Sequence, residues 1–400
     1  MKNQRIRYPR ILLWGIFAYL IITNNVLSMM GCAALMGTNP IFKLGLGQVL
    51  LLVAFFAYFK FLKIDNGEKC MFTVIGIMLF VNMVIKGEYQ ITNYVSAIIF
   101  PVCLSCLLGT YRDDERVRSK IQKMILFFFY IECGMAVIER ILKVHFLGEI
   151  GDDAISFMES FEFRSRALWG HPLANSSLMT YLLVFILQND EFSVKKKNIL
   201  WGIGMLALLC FNSRMSIVCS AVLYVLINYR ELFHSKHKKS ILFFMCLLAT
   251  GFFYALFYTP LGGRLLNMGL YGNDSSSLAR TQIFDIFHGI DLKQFMFIGV
   301  PYAQIEVIQR MAGLGYLIIE NPWILFIFRY GIIQTIAMVV FFVPLFRKWL
   351  LPYGVYNAFV ISAFFIVLVS SSNSLAVGST SIAQLFLFAY TFKKYKYRKL

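Results

Sequence analysis

Three features of this chain predict an all-α, polytopic integral membrane protein. Hydrophobic residues fill 59% of its 400 positions and charged ones only 15%, for a mean hydropathy of +0.68. Soluble globular chains do not reach that balance. Apolar stretches that approach the ~20 residues needed to cross a hydrocarbon core recur along the whole chain. The basic residues, which give a net charge of +17, gather in short clusters between those stretches and not on one soluble face. That distribution excludes nucleic acid as the partner and points to topology signals.

Twelve spans are expected, near 11–30, 41–59, 71–85, 93–110, 124–138, 172–187, 198–211, 215–228, 240–258, 323–346, 354–371 and 376–392. The first follows Lys2, Arg5, Arg7 and Arg10 and has no small-residue cleavage site, so it reads as a retained helix. With both termini in the cytoplasm, the inner connections hold 26 of the 38 Lys and Arg and the outer ones 10, while Lys43 and Arg329 fall inside spans. This is the asymmetry of the positive-inside rule, and moving the count by one span destroys it. All eight cysteines lie in or beside apolar segments, and the close pair Cys103 and Cys106 lacks the second pair or histidines of a metal site. They read as small packing residues.

The whole chain, 1–400, is expected to form one transmembrane domain. Its two long connections, 139–171 and 259–322, both face outward, and the working surface is expected there. The larger carries "SSSLARTQIFDIF", a helical apolar spacing with Ser as N-cap, which suggests an ordered cap. No transporter-type repeat is evident.

Several outward charges break the positive-inside pattern. Arg164 and Arg166 close the first long loop, followed by His171 and Pro172 at the mouth of the sixth span. Arg214 sits in "FNSRMS" at a tight turn, and Arg280 lies in the large loop. An arginine at the centre of a span costs roughly 2.5–3.5 kcal/mol unless it faces a polar partner or cavity. Each arginine alone is explained by pairing with Glu159, Glu162, Asp274 or Asp285, or with lipid head groups. Together, Arg164, Arg166, Arg214 and Arg280 form a set that could converge on one diphosphate, whose oxygens suit bidentate guanidinium groups. Glu132 and Arg329 lie within spans, either as a buried ion pair or as groups that shape a groove. Trp169, Tyr271 and Trp323 are outer aromatics placed to stack on sugars or simply to sit at the interface.

The order R-x-R-x-L-x-G-H-P-x-x-N (164–175), N-S-R (212–214), L-A-R (278–280) and "ENPWILFIFRYG" (320–331) resembles the O-antigen ligase and O-antigen polymerase superfamily. The likeness spans about residues 160–340. It implies a fold similar to lipid-dependent, GT-C-like membrane glycosyltransferases, located in the cytoplasmic (inner) membrane with an extracytoplasmic site. The implied activity is polymerisation of undecaprenyl-diphosphate-linked repeat units into O-antigen (lipopolysaccharide), capsule or exopolysaccharide. By position, Arg214 and Arg280 match the family's diphosphate-binding arginines, His171–Pro172 its H-P pair, and Asn321 and Gly331 its H-N and following Gly.

Three departures stand out: Leu173 replaces the Asn after H-P, Glu320 replaces the ligase histidine, and Gln334 replaces the second glycine of G-x-x-G. The last two point from ligase to polymerase. Glu320 is left with three roles: base, acceptor binder or partner of an arginine. For His171 the plain alternative is an interfacial polar group satisfied by backbone.

The resemblance further implies inversion at the anomeric carbon, no cofactor and no metal. Its partners would be lipid-linked glycans and the bilayer, with a chain-length regulator and a flippase as candidate partner proteins. The rival activities are a ligase that moves finished glycan to lipid A-core or protein, and a lipid-linked oligosaccharide flippase or other carrier.

Overall fold

The computed structural model describes residues 9–32, 44–87, 92–147, 163–234, 283–289, 292–314, 319–371, 375–376 and 378–393, with isolated positions between 239 and 254. Among them every regular element is helical. In chain order these are α1 (Arg10–Ile21), α2 (Asn24–Leu27), α3 (Leu46–Tyr58), α4 (Asn66–Ile85), α5 (Thr92–Thr110), α6 (Glu115–Leu142), α7 (Pro172–Leu187), α8 (Val194–Phe211) and α9 (Arg214–His234). Two 3-10 turns, Ile283–Gly289 and Leu292–Phe295, then precede α10 (Tyr302–Met311), α11 (Pro322–Tyr330), α12 (Ile332–Leu350), α13 (Val355–Ser370) and α14 (Ser381–Phe392).

Local chemistry sets the helix ends. Asp65 and Glu68 form a reciprocal capping box that opens α4. Asp114 and Ser193 cap α6 and α8, and Pro172 and Pro322 occupy first-turn positions where no amide hydrogen is needed.

The helices form a bundle around α14, all of whose 12 residues are buried. A helix apolar all round belongs in the middle of such a bundle. Helix α14 packs against α5, α6, α7 and α12, and its Phe386 and Tyr390 rings meet Trp349 of α12. Small residues bring other helices close. A Cβ on Gly47 of α3 would fall 2.1 Å from the Tyr19 amide nitrogen of α1. Between α7 and α9, Ser176 bonds Ser216 at 3.1 Å and Thr180 bonds Ser220 at 3.1 Å, the small polar seam expected between membrane helices. Large apolar side chains such as Phe56, Phe80, Val355 and Phe359 point outward and are mostly exposed, an apolar surface suited to lipid.

Three helical stretches, Asn66–Ile85, Thr92–Thr110 and Ile332–Tyr353, are each long and apolar enough to cross a membrane, and α1 with the Asn24–Cys32 stretch is a fourth if the bent pair is one span. The expectation of twelve spans is therefore met only in part. Two spans are corrected. The first is not one helix, because the chain bends by 80° between α1 and the next stretch. The tenth, 323–346, is split at Gly331, whose φ of 88° and ψ of 163° end α11 and start α12. Most of the predicted ninth span lies outside the described residues.

Contacts between distant segments join predicted inner connections to inner ones. Lys348 of α12 reaches Glu68 at 2.5 Å and Asp65 at 2.9 Å. Ser105 and Trp349 complete that network, with Ser105 donating to Glu68 and Trp349 to Ser105. Arg118 pairs with Glu191, and Lys393 with Asp190. On the predicted outer side, Thr23 donates to the Leu168 carbonyl and Trp323 to Ser370. Of the cysteines, Cys103, Cys106, Cys133, Cys210 and Cys219 are buried among packed side chains.

Burial raises the Asp65 carboxyl, but the Lys348 ammonium and the Glu68 and Gly67 backbone amides outweigh it, so its pKa lies below the ordinary value. A depressed folded pKa means that the stabilisation is present above the unfolded value and is lost as pH falls through the folded one. Asp65→Ala is expected to lower stability by about 1 kcal/mol at neutral pH, as for other N-cap deletions. The gap between wild-type and variant melting temperatures should close as pH falls below the ordinary Asp value of about 3.9. A gap independent of pH would show that the carboxylate charge is not what stabilises the α4 start.

Candidate functional site

The segment 163–170 lies as a strap over the predicted outer ends of α6 and α8. Glu132 and Glu139 of α6 stand seven residues apart, two helical turns, and so share a face. Both side chains are buried and both take backbone amides of the strap. Glu139 accepts from the Arg166 and Ala167 amides at 2.7 and 3.0 Å with one oxygen and from Phe146 at 3.1 Å with the other. Glu132 accepts from Leu168 at 3.2 Å, and its Oε1 has no hydrogen-bond partner.

Further bonds hold the strap. Ser165 donates its amide to the Cys210 carbonyl at 3.1 Å and its hydroxyl to the Ala136 carbonyl at 2.6 Å. The Arg166 carbonyl accepts from the Gly170 amide and the Asn175 side chain. Gly170 has φ of 68°, and a Cβ there would strike Asn25. Ala167 adopts φ of 41°, a left-handed conformation that the amide bonds on either side hold in place.

This sewing joins two of the three arginine motifs. Arg164 Nε donates to the Phe211 carbonyl at 3.2 Å, where α8 ends at the left-handed Asn212 and α9 begins at Arg214. Arg140 and Lys143, at the end of α6, approach the same Cys210. Lys143 also lies over the Phe163 ring at 5.3 Å. Partial burial, then the Arg140 charge, lowers the Lys143 pKa, as expected among cations. Arg140, Lys143, Arg164 and Arg214 thus surround the α8–α9 turn, with the backbone of Arg166 fixed beside them. Such a cluster is suited to an oxyanion with several oxygens.

The break between α11 and α12 forms a second element on the predicted outer side. Asn321 is the N-cap of α11, its oxygen accepting from the Trp323 and Ile324 amides at 2.9 and 3.3 Å. That side-chain oxygen is thereby occupied by a structural task. Glu320 precedes it and is half-buried. Arg329 is buried and donates to the Ala376 carbonyl at 3.1 Å. Glu132 and Arg329 are not an ion pair, since the one engages the strap and the other the segment before α14. Lys86 donates to the Arg329 carbonyl. Gln334, where the resembling family has glycine, donates to the Phe297 carbonyl at 2.9 Å and ties the segment before α10 to α12. The same segment covers the break, with Val300 donating to Phe328 at 2.7 Å and Ile333 to Met296 at 3.0 Å. His171 is the exposed N-cap residue of α7, with no side-chain capping bond. Arg280, Glu159, Glu162, Asp274 and Tyr271 lie outside the described residues, so the fourth arginine of the set has no place in this geometry.

Sequence reasoning missed Glu139, Arg140, Lys143 and Lys86. Glu139 carried a usable signal in its two-turn spacing from Glu132. Arg140 and Lys143 were counted as outer charges but not tied to the α8–α9 turn, a relation that only the fold creates.

Glu139→Ala would orphan three amides, each worth roughly 1–3 kcal/mol when buried. Amide hydrogen exchange across 163–170 should then rise at least 100-fold, with Glu139→Gln intermediate. Exchange equal to wild type in Glu139→Ala would mean that the strap is held elsewhere.

No family-level pattern, curated protein sequence or solved structure was found to match this chain.

Proposed function

We propose that the chain is a membrane glycosyltransferase that polymerises undecaprenyl-diphosphate-linked oligosaccharide units on the outer side of the cytoplasmic membrane. The observation that carries this reading is the gathering of Arg140, Lys143, Arg164 and Arg214 around one turn, in a bundle whose surface is apolar. A membrane-embedded chain uses such a cluster most economically on an anionic head group. In the proposed step, an acceptor-sugar hydroxyl oxygen attacks the anomeric carbon of the donor. The carbon–oxygen bond to the diphosphate breaks, the diphosphate leaves with the electron pair, and a base takes the hydroxyl proton. Arg214, with Arg164 and Arg280, stabilises the leaving diphosphate, and Glu320 is the proposed base. Arg166, His171 and Asn321 position the strap and the helix starts around it, while Glu132 and Arg329 anchor the strap and the helix break. Transfer of finished glycan to lipid A-core or protein uses the same chemistry and is the ligase form of this reading.

A second reading, a carrier for the same lipid-linked glycan, is favoured by one specific feature. The discontinuity at Gly331 beside the buried Arg329 is the kind of broken helix that carriers use at a substrate site.

In a deletion strain, Arg214→Ala and Arg280→Ala, each confirmed in the membrane, are expected to reduce the glycan ladder by about 100- to 1,000-fold in rate, by analogy with loss of a preorganised transition-state donor. Glu320→Gln should act similarly. Single-unit glycans on the outer leaflet would support polymerisation. Full ladders left unattached would favour the ligase, and units trapped in the inner leaflet would favour the carrier.

A further inference from the structure

Past the Trp169 end of the strap lies a cavity of about 270 Å³. Its walls come from the end of α1, the start of α3, α5, α7 and the segment leading into α14. No Asp, Glu, Lys, Arg or His is among the described residues that line it. The lining is amide, hydroxyl and aromatic: Asn24, Gln48, Trp169, Thr380 and Gln384 with Tyr19.

Most buried polar groups find a partner, and an orphan costs roughly 1–3 kcal/mol. Here three orphans line one cavity. Gln48 Nε2, Trp169 Nε1 and Asn24 Oδ1 are buried atoms with no hydrogen-bond partner, and Gln48 as a whole is 8% exposed. The first two donate and the third accepts. Around them the frame is fixed: Tyr19 donates to Thr380 at 2.6 Å, and the Trp169 ring meets the Tyr19 ring edge-on at 5.7 Å. Gly47 brings α3 against the α1 backbone beside Gln48. The Trp169 donor is therefore held by its ring contact, and Gln48 projects from a helix start fixed against α1.

A ligand for this cavity must offer both donors and acceptors, carry no charge, and present an apolar face to an aromatic ring. A pyranose does all three: its hydroxyls donate and accept, and its ring hydrogens form an apolar face. The volume lies just below the usual 300–1,000 Å³ range of small-molecule sites and suits one sugar residue with ordered water. Among the described lining residues a diphosphate or a uronic acid would find no counter-charge. We infer that this cavity binds a single uncharged pyranose residue. As a subsite for the glycan chain it rests on the glycosyltransferase reading; as a neutral-sugar site it stands on the cavity alone.

The full chain, purified in a sugar-free amphipol, would be probed by saturation-transfer NMR. The probes are the methyl glycosides of glucose, galactose, mannose, rhamnose and N-acetylglucosamine, with glucuronate and pyrophosphate as charged controls. At least one neutral glycoside should receive signal from wild type. That signal should fall at least fivefold in both Gln48→Met and Trp169→Phe, with melting temperatures confirming the fold. It should persist in Arg214→Ala and resist pyrophosphate. Absence of any neutral-glycoside signal in folded wild type, a signal indifferent to Gln48→Met, or displacement by pyrophosphate would overturn the inference and leave a water-filled cavity. Failure of the polymerase reading looks different: the glycoside signal behaves as described while the arginine variants still build full ladders.

Discussion

Two carboxyl side chains of one helix face, Glu132 and Glu139, hold the strap 163–170 through main-chain amides. Glu139, which accepts three amide hydrogens, receives charge-assisted bonds, each stronger than a neutral pair. Their number matters less than their target. Side-chain anchors can be lost one rotamer at a time, but amides spaced along a strap define its backbone path. Once the path is set, Arg164 falls on the Phe211 carbonyl and Trp169 on Tyr19 with no further freedom. The cationic cluster and the neutral cavity thus share one support, at opposite ends of eight residues.

How much was legible in the sequence depended on whether the signal was local. The sixth span was readable to the residue, since Pro172 starts it and an unbroken apolar run follows. The broken first and tenth spans were not, because hydropathy sums side chains and is blind to φ. "FRYG" reads as a continuous apolar helix until Gly331 turns to positive φ. The link between Arg164 and Arg214 is a possibility that the sequence offers, but a separation of 50 positions gives no period from which to derive it. Asn321 illustrates an opposite limit: its place in a motif suggested substrate, whereas its oxygen closes the first turn of α11. The polar cavity left no trace at all, since Gln48, Asn24 and Gln384 are scattered single residues in apolar segments.

The break at Gly331 shows how backbone groups are satisfied without a helix. Carbonyls and amides at the α11–α12 junction that lose helical partners are met by Val300, Met296 and Lys86. In an apolar surrounding such groups cannot be left open. Residues 296–300 are therefore part of the bundle at this point, not a lid resting on it. A displacement of residues 296–300 would expose unpaired backbone in α11 and α12 together, so loop and break are energetically one unit.

The two faces of the bundle are closed by different kinds of bond. The predicted inner face relies on ion pairs with partly exposed partners, such as Asp65, Glu191 and Asp190. On the predicted outer face the strap relies on buried carboxylates and main-chain amides, and the exposed Arg310–Glu306 pair lies within a single helix. Dissolved ions weaken the first kind and barely reach the second. A cell regulates the ionic strength of its interior but not that of its surroundings. In the orientation expected from the charge distribution, the ion pairs between distant segments among the described residues would face the buffered medium, and the strap that faces variable salinity would be closed by bonds that salt barely loosens.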